Sequence, residues 1–500
     1  MSRAKVAVVG GGLAGVTAAI DLAEAGLEVV LLEARPRLGG AASSYQRGEM
    51  TIDNGQHVIL RCCDAYRGLL ARLGVTTQVA FQDRFDVTVL GPGGPARLRR
   101  SGLPSPLHMT GALTRYRLLP LAARLAVGRA ALAMRFLDPA DPALDQQRLG
   151  DWLAARGQGE LARRRLWDLF IVSALNIAGD DANLALAATV IKTALLGAKD
   201  AADIGVATVP LGDLHDKAAA TVLSSLGVQV RLGAKVTNIR PAPDGGFELD
   251  LARDDFRDDP EESGRGAAWT DERGSAATER GGKAAPKSAP TPGGSGGSPP
   301  RVDTVLLAVP SAQAAGLAAG VGVDAAAGWD GLDASPIVNV HVIYDRRVID
   351  LPFVAAVDSP VQWVFDKTRI AGLKTGQYLA VSLSAADEFV TVPAAQLREQ
   401  FIPELQRLFP AAAQAQVTDY FVTRERRATF RQAPGCGVLR PGAATSVPGL
   451  VLAGSWTDTG WPDTMEGAVR SGHSAARQLI SELAATTTGY EDRTRSEVAT

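Results

Sequence analysis

Three glycines near the start of the chain have the spacing of a phosphate-binding turn. Gly10, Gly12 and Gly15 form a G-x-G-x-x-G pattern. In such a turn the first glycine permits the tight bend, the second admits a pyrophosphate to the backbone, and the third lets a helix lie close to a strand. Glu33 ends the next apolar run, where an acidic side chain can bind a ribose hydroxyl. These residues predict dinucleotide binding; an ordinary βαβ unit with a glycine-rich turn is the alternative.

The elements that must position this turn can be predicted from the pattern around it. The residues before the glycines form a buried parallel strand over 6–9, followed by a helix over 14–25 and a second buried strand over 27–32. The first turn of this helix has free N–H groups, near Leu13 and Ala14, that can face a phosphate. The βαβ order strengthens the prediction, because a glycine pattern alone is a weak signal.

Composition limits the classes of protein that need to be considered. The chain has 500 residues, of which 46% are hydrophobic and 21% charged, and this length predicts two domains or one large interleaved unit. The net charge of −2 gives no reason to expect nucleic acid as a partner. Cys62, Cys63 and Cys436 form neither a disulfide framework nor a metal-binding spacing, and the five histidines are scattered, so no metal is expected. We find no signal peptide and no spanning segment and expect a cytoplasmic protein.

The segment after Glu33 carries the first resemblance to a known family. Arg37 stands two residues before a Gly39-Gly40 pair, which resembles the R-x-G-G extension of flavin amine oxidases and carotenoid-type desaturases. In that superfamily the segment wraps the pyrophosphate and ribityl chain of FAD, so the resemblance implies FAD rather than NAD; a basic surface turn is the alternative. The cofactor contacts that it implies come from Ala34, Arg35, Arg37, Gly39, Gly40 and Ala41.

A second motif narrows the resemblance. Residues 53–57 read D-N-G-Q-H and form a turn between two strand-like pieces. With the apolar triplet and cysteine-rich helix start that follow, the motif resembles the hydroxysqualene dehydroxylases, the squalene-associated FAD-dependent desaturases of bacteria. The resemblance implies that Gly55 and Gln56 lie near the flavin, and Arg61 stands where the family has a small residue. For His57, a hydrogen-bonded turn residue and a direct chemical role both stay open.

The third motif lies near the end of the chain. A strand over 450–453 precedes Gly454, and a helix over 465–479 has an N-terminus that can face a negatively charged flavin edge. Ser455 stands where the superfamily has Asp or Glu, and a hydroxyl binds the ribityl hydroxyls more weakly than a carboxylate. The further cofactor contacts that the resemblance implies are Val236 on the adenine side, Gly454, Ser455, Met465, Glu466 and Ala468.

Two helical stretches in the middle of the chain carry further hypotheses. Residues 110–137 are basic and apolar, and such a helix can lie on an anionic bilayer surface; a solvated face on a core helix is the alternative. Within residues 166–178, Asn176 resembles an embedded family residue and is a candidate for the substrate pocket, or else a brace at a helix junction.

The resemblance implies an α/β fold of the flavin amine oxidase type. A Rossmann-like FAD-binding domain, with a mixed sheet and helices, is interleaved with an α+β substrate domain. The composition of residues 253–300 predicts a disordered insertion. The predicted segments are an FAD-binding domain over 1–84, 205–315 and 418–482, a largely helical then antiparallel substrate domain over 85–204 and 316–417, and a disordered tail over 483–500.

The activity implied is the reductive dehydroxylation of hydroxysqualene, a water-insoluble terpenoid, to squalene, with hydride from reduced flavin. A proton donor is also needed, and the candidates are Asp53, His57, Asp463 and Glu466. A carotenoid-type desaturase or amine oxidase of the same fold is one alternative. A non-catalytic flavin-binding scaffold protein is an alternative of another class.

Overall fold

The computed structural model describes residues 3–252, 300–323 and 328–498, with side chains as far as residue 485. The predicted insertion over 253–300 lies outside this part of the chain except for Pro300. The strands are β1 Lys5–Val9, β2 Glu28–Glu33, β3 Ser44–Arg47, β4 Met50–Asp53, β5 Val58–Leu60, β6 Val79–Phe81, β7 Asp86–Leu90, β8 Ala96–Arg99, β9 Ile204–Ala207, β10 Gln229–Leu232, β11 Val236–Pro241, β12 Phe247–Leu251, β13 Arg301–Val302, β14 Thr304–Leu307, β15 Ala334–Tyr344, β16 Phe353–Ala356, β17 Trp363–Asp366, β18 Gln377–Leu383, β19 Val417–Phe430 and β20 Leu450–Leu452. The α-helices are α1 Leu13–Glu24, α2 Asp64–Arg72, α3 Thr110–Arg115, α4 Leu121–Met134, α5 Pro142–Asp145, α6 Leu149–Ala154, α7 Glu160–Ala162, α8 Asp168–Leu175, α9 Leu184–Val190, α10 Ala218–Ser225, α11 Ser311–Ala319, α12 Ala394–Leu408 and α13 Met465–Val498.

A five-stranded sheet carries the glycine turn. Its order is β10-β2-β1-β14-β20, and all of its pairings are parallel. The strands come from three separated stretches of the chain. Four of them, β1, β2, β14 and β20, are mostly apolar and buried, as strands covered on both faces are, whereas the edge strand β10 is largely exposed. Helices α1 and α13 pack against each other beside this sheet. The beginning and the end of the chain therefore meet at one site.

A seven-stranded sheet forms the second unit. Its order is β19-β15-β18-β17-β16-β7-β8, antiparallel except for the parallel pair β16–β7. One face packs on α12 through an apolar cluster that includes Val340, Val381 and Phe401. Because side chains alternate along a strand, the other face, which we call the inner face, carries the neighbouring residues of each strand. The inner face is the one that meets the loops of the parallel sheet, as the contacts below show.

The boundary predicted at residue 418 is wrong. β19 pairs with β15 along most of its length, from Val417 opposite Tyr344 to Phe430 opposite Ala334. Residues 417–430 therefore belong to the seven-stranded sheet and not to the FAD-binding domain. The pattern of this strand predicts a strand but does not identify its partner, which lies about 80 residues earlier.

Residues 110–137 and the C-terminal helix α13 differ in their bounds from the prediction. Residues 110–137 form α3 and α4, which are separated by residues 116–120; Pro120 is the N-cap residue of α4. Helix α13 continues through Val498, so the prediction of a disordered tail from residue 483 is wrong for 483–498. A reason is that Leu483 still packs against the core and no proline interrupts the stretch. Within the described residues, no helix combines the length and apolar character needed to cross a bilayer.

Candidate functional site

The glycine turn lies between β1 and α1 and is packed so closely that side chains are excluded. Gly10 has φ of +108°, and a Cβ there would lie 2.3 Å from the carbonyl oxygen of Ala308. A Cβ on Gly15 would lie 1.9 Å from the carbonyl oxygen of Gly10, so the start of the helix rests directly on the turn. No side chain caps α1 at Gly12, and its first turn has no acidic residue. The N–H groups of Leu13 and Ala14 are thus placed to bind an anion, as a pyrophosphate requires.

The R-x-G-G segment packs on this turn through backbone atoms. The N–H of Gly39 donates to the carbonyl oxygen of Gly11 at 2.9 Å. Gly40 has φ of +58°, and a Cβ on it would lie 2.9 Å from the Cα of Gly12. Two glycine-rich backbones therefore form one wall, which is the kind of cradle that admits a pyrophosphate and excludes side chains.

Glu33 and Arg35 connect the two loops. The Glu33 carboxylate accepts hydrogen bonds from the N–H groups of Gly11 at 2.5 Å and Arg35 at 2.7 Å. Each carboxylate oxygen has a second lone pair, so Glu33 can still accept a ribose hydroxyl. Arg35 donates to the carbonyl oxygen of Gly40 at 3.3 Å. The Glu33 carbonyl oxygen accepts from the N–H of Ala234 at 2.8 Å, which places the buried Val236 near the same end of β2.

The R-x-G-G segment is held by Asp216 and His215, two residues that lie outside the sequence motifs. The same segment contains Ala34, Arg37 and Ala41. Asp216 accepts from the N–H of Leu38 at 2.9 Å. The buried His215 bonds the carbonyl oxygen of Ala42 through Nδ1 at 2.8 Å and the Tyr66 hydroxyl through Nε2 at 2.6 Å. Burial lowers the pKa of His215, which favours a neutral ring that donates from Nδ1 and accepts at Nε2. A histidine inside a helical pattern gives no sequence signal for such a role.

The D-N-G-Q-H segment presents polar atoms that have no partner in the described part of the chain. Both amide atoms of Gln56 and the Nε2 atom of His57 are buried without a hydrogen bond. Both residues line a cavity of about 520 Å³ that also includes Phe365 and Lys367 of the second unit. Buried polar groups in proteins are normally paired. Their state fits a bound group at this junction, where the resemblance places the flavin.

The last motif forms a loop that one arginine holds. The buried Arg440 donates to four backbone carbonyl oxygens of the loop over 455–461: those of Thr457 at 2.6 Å, Trp461 at 2.8 Å, Ser455 at 3.2 Å and Trp456 at 3.3 Å. Gly454 bonds to the Ser471 hydroxyl at 2.8 Å, which ties the loop to α13, whose first residues include Met465 and Ala468. Arg440 lies outside the motif, and sequence reasoning misses it.

The four proton-donor candidates have different surroundings. The buried Asp53 accepts from the Ser44 hydroxyl, the Leu211 N–H and the Lys367 ammonium, the last at 2.8 Å. All of these partners donate, so the Asp53 carboxylate is held in place by contacts with the protein itself.

The surroundings of Glu466 and His57 differ from those of Asp53. The Glu466 carboxylate caps α2 by accepting from the N–H groups of Ala65 and Tyr66, and it also binds Arg470 at 2.7 Å. Burial lowers the pKa of His57 to about 4, so its ring is neutral near pH 7. These contacts describe the surroundings of the two residues, and their role as proton donors stays a prediction.

Asp463 is the candidate that best holds a proton. Burial raises the pKa of its carboxyl, against the opposing hydrogen bonds from the Ser455 hydroxyl and the Phe430 N–H. The Phe430 bond measures 2.8 Å. Ser455, where the superfamily has an acid, thus stands beside an acid eight positions later in the chain.

Asn176 joins the end of α8 to the seven-stranded sheet instead of facing open space. Its backbone is left-handed at the end of α8, and its amide donates to the Ser335 carbonyl oxygen and the Thr429 hydroxyl, each at 3.0 Å. Its amide oxygen accepts from the N–H of Ala385 at 2.7 Å. The prediction that Asn176 lines the substrate pocket has no support from these contacts, because its side chain is fully engaged by the protein.

The inner face of the seven-stranded sheet supplies an apolar wall. Trp363 and Phe365 stack there with ring centroids 6.2 Å apart, and Trp363 donates to the Ser173 hydroxyl of α8 at 2.8 Å. Further along this face, His341 is fully buried between Tyr378 and Thr423, with both ring nitrogens bonded, and it stacks on Phe421. The wall therefore combines aromatic rings with a few polar groups, as expected for a site that binds a large apolar molecule.

Comparison with known proteins agrees with this geometry. The model of the flavin-containing amine oxidoreductase family matches residues 13–259 and 284–480. The chain belongs to this family, and it is an FAD-dependent oxidoreductase. The glycine cradle, the free start of α1 and the unpartnered Gln56 amide fit FAD, which supplies hydride-transfer chemistry when bound.

Three curated relatives extend over nearly the whole chain. Hydroxysqualene dehydroxylase of Rhodopseudomonas palustris is 28% identical over 95% of this chain and 98% of its own length, and that of Sinorhizobium fredii is 27% identical over 95% and 98%. The 15-cis-phytoene desaturase of Narcissus pseudonarcissus is 23% identical over 96% of this chain and 80% of its own. Among solved structures, cyclohexylamine oxidase from Brevibacterium oxydans superposes with a TM-score of 0.66 at 17% identity, over 96% of this chain and all of that one, and shows the same fold.

Proposed function

We propose that this protein is a hydroxysqualene dehydroxylase that reduces hydroxysqualene to squalene. The observation that carries the proposal is the cavity where the unpartnered atoms of Gln56 and His57 lie together with Phe365, whose ring stacks on that of Trp363. The full-length similarity to dehydroxylases supports the same activity. An apolar wall suits the hydrocarbon chain, and a polar strip beside it suits a single hydroxyl group.

The protein's own residues have three tasks in this reaction. The glycine cradle and the loop held by Arg440 position the cofactor, which supplies hydride when reduced. The inner face orients the substrate and excludes water, which protects a cationic carbon from capture. A side chain must also protonate the leaving hydroxyl; of the sequence candidates, Asp463 has a carboxyl whose pKa is raised by burial.

The experiment is a comparison of substrates under anaerobic conditions. The enzyme is reduced with dithionite and mixed separately with hydroxysqualene and with squalene. The oxidised enzyme is mixed with phytoene and with a primary amine. Flavin reoxidation together with squalene formation, by hydroxysqualene alone, is expected. Bleaching of the oxidised flavin by phytoene or the amine would instead assign the protein to the oxidative members of the family. Absence of redox change with every compound would favour the scaffold alternative.

We also propose that the protein contacts an anionic membrane surface through α4 and Phe136, two residues beyond its end. One face of α4 is buried at Ala126, Ala130 and Met134. On the opposite face Leu121 is 64% exposed, Leu125 58% and Leu132 52%, and Phe136 is 81% exposed just beyond the helix. Residues 110–137 contain five arginines and no acidic residue, so this surface suits an anionic bilayer from which an apolar substrate could be taken.

The membrane proposal can be tested with vesicles. The protein should sediment with phosphatidylglycerol vesicles and only weakly with phosphatidylcholine vesicles. The double variant Leu125→Ser/Phe136→Ser should lower the affinity by about tenfold or more, since each side chain loses its apolar burial. Val438→Ser is the matched control, because Val438 is 73% exposed elsewhere. Equal sedimentation of the double variant and the control would contradict the proposal.

A further inference from the structure

One buried side chain on the inner face has no partner in the described part of the chain. Asn339, in the middle of β15, is 1% exposed, and neither its amide oxygen nor its amide nitrogen makes a hydrogen bond. An orphaned buried amide destabilises a fold, because its hydration is lost without replacement. Asn176, also buried, uses its whole amide for structure. The contrast indicates that Asn339 is kept for a group that the protein chain does not supply.

The position of Asn339 shows where that group would lie. Its neighbours Val338 and Val340 pack against α12, so Asn339 points to the inner face. It stands directly opposite Thr423 on one side and Ser382 on the other, and Trp363 follows in the same row. Ser382 and Trp363 are only partly buried, although their strands are internal to the sheet. Accessible space therefore reaches this row.

A carboxyl group lies next to Asn339 on the same face. Glu425 is paired with Ile337, two positions before Asn339, so the two side chains are diagonal neighbours about 7–8 Å apart at their Cα atoms. Among the described residues, the Glu425 carboxyl has no hydrogen bond or ion pair. Its neighbours on this face, Ile337 and Thr423, are uncharged.

The Glu425 carboxyl can hold a proton near neutral pH. Burial raises its pKa to about 7, and the opposing charge is that of Arg35 in the R-x-G-G segment. Glu425 therefore lies near the cofactor-binding loops. Asp463, in contrast, accepts from Phe430 and Ser455 and is used to fix the loop.

We propose that Asn339 and Glu425 form the site that recognises and protonates the hydroxyl group of the substrate. This inference rests on the proposed function and goes beyond it by assigning both polar contacts. The Asn339 amide holds the hydroxyl oxygen, and Glu425 donates its proton to that oxygen. The carbon–oxygen bond breaks and water leaves. FAD, when bound and reduced, would supply the hydride for the new carbon–hydrogen bond. Glu425 then takes a proton from solvent.

Recognition is tested by binding to the oxidised holoenzyme, which does not turn the substrate over. Asn339→Leu should weaken hydroxysqualene binding by about tenfold or more and leave squalene binding unchanged or tighter, so the ratio of the two affinities falls. Its thermal midpoint should not fall, because the variant removes an unsatisfied group. Asn176→Gly is the matched control; it should lower the midpoint and leave the affinity ratio unchanged. A wild-type ratio in Asn339→Leu, or loss of FAD from that variant, would overturn the assignment.

Protonation is tested by Glu425→Gln, which keeps the shape and removes the acid. Single-turnover reduction of hydroxysqualene should slow by about 10²-fold or more, with substrate affinity close to that of the wild type. The wild-type rate should fall as pH rises through about 7, and this dependence should disappear in the variant. A wild-type rate in Glu425→Gln together with loss of turnover in Asp463→Asn would transfer the role to Asp463. If the wild type itself does not reduce hydroxysqualene, the proposed function fails, and the binding ratio still decides the recognition site.

Discussion

Replacement of Arg440 by methionine should loosen the flavin-side loop and weaken FAD binding. Two of its four hydrogen bonds to loop carbonyls are short, at 2.6 and 2.8 Å, and two are longer, at 3.2 and 3.3 Å. Charge-assisted bonds contribute about 1.5–3 kcal/mol each, and carbonyls left unpaired in a buried loop lose this without compensation. Burial of the guanidinium, which lowers its pKa, has a cost that methionine removes. The expected net loss is about 3–5 kcal/mol.

The assay combines thermal unfolding with cofactor titration. In a chain of 500 residues a loss of this size should lower the melting midpoint by about 3–5 °C and raise the dissociation constant of FAD. Arg440→Lys is the matched control, because it keeps the charge but cannot reach four carbonyls, and it should fall between the wild type and Arg440→Met. A methionine variant with the wild-type midpoint and wild-type FAD affinity would refute the idea that Arg440 holds the loop.

Three further predictions follow from contacts at the site. Lys367→Met leaves the buried Asp53 carboxylate without its ammonium partner and should lower the free energy of unfolding by about 3–5 kcal/mol. The double variant Lys367→Met/Asp53→Asn should lose less than the sum of the two single changes. Simple additivity of the two losses would argue against an ion pair between these residues. Gly40→Ala should weaken FAD binding by tenfold or more, about 1.4 kcal/mol, because its Cβ meets Gly12; Gly48→Ala, with nearly the same φ and open space, should bind FAD normally, and equal effects would contradict the cradle. The pKa of His57 is lowered to about 4, so as pH falls the unfolded chain binds a proton near pH 6.5, whereas the folded protein binds it only near pH 4. The free energy of unfolding should therefore decrease as pH falls from 6.5 to 4, and His57→Gln should flatten this part of the acid-denaturation curve. An unchanged curve in the variant would show that another group titrates there.

The local part of the fold can be predicted from the sequence. β1, the glycine turn, α1 and β2 occur within one or two residues of the expected bounds, because apolar strands, glycines and a helical pattern follow one another in about 30 residues. The contact of the R-x-G-G segment with the turn also joins residues that are close in sequence, since Gly39 and Gly11 both lie within the first 40 residues. Both motifs can be predicted because the contacts that they form are made by residues of the motifs themselves.

The tasks of the acidic residues could not be predicted. Glu466 caps a helix whose first turn lies 400 positions earlier, and Asp53 is paired with a lysine 314 positions later. Neither partner carries a signal in the sequence. Asn339 and Glu425 could not be predicted either. Their positions as neighbours depend on the register between β15 and β19, and the lack of a hydrogen-bond partner for the Asn339 amide is known only from the structure.

The most direct test of the central claim is a single turnover in heavy water. The enzyme is equilibrated in D₂O, reduced anaerobically so that the flavin carries deuterium, and mixed with unlabelled hydroxysqualene, and the lipid is extracted for mass spectrometry. The account predicts squalene with one deuterium per molecule and stoichiometric reoxidation of the flavin. Recovery of unchanged hydroxysqualene from a protein that binds it and is fully reduced would contradict the claim that this site performs reductive dehydroxylation.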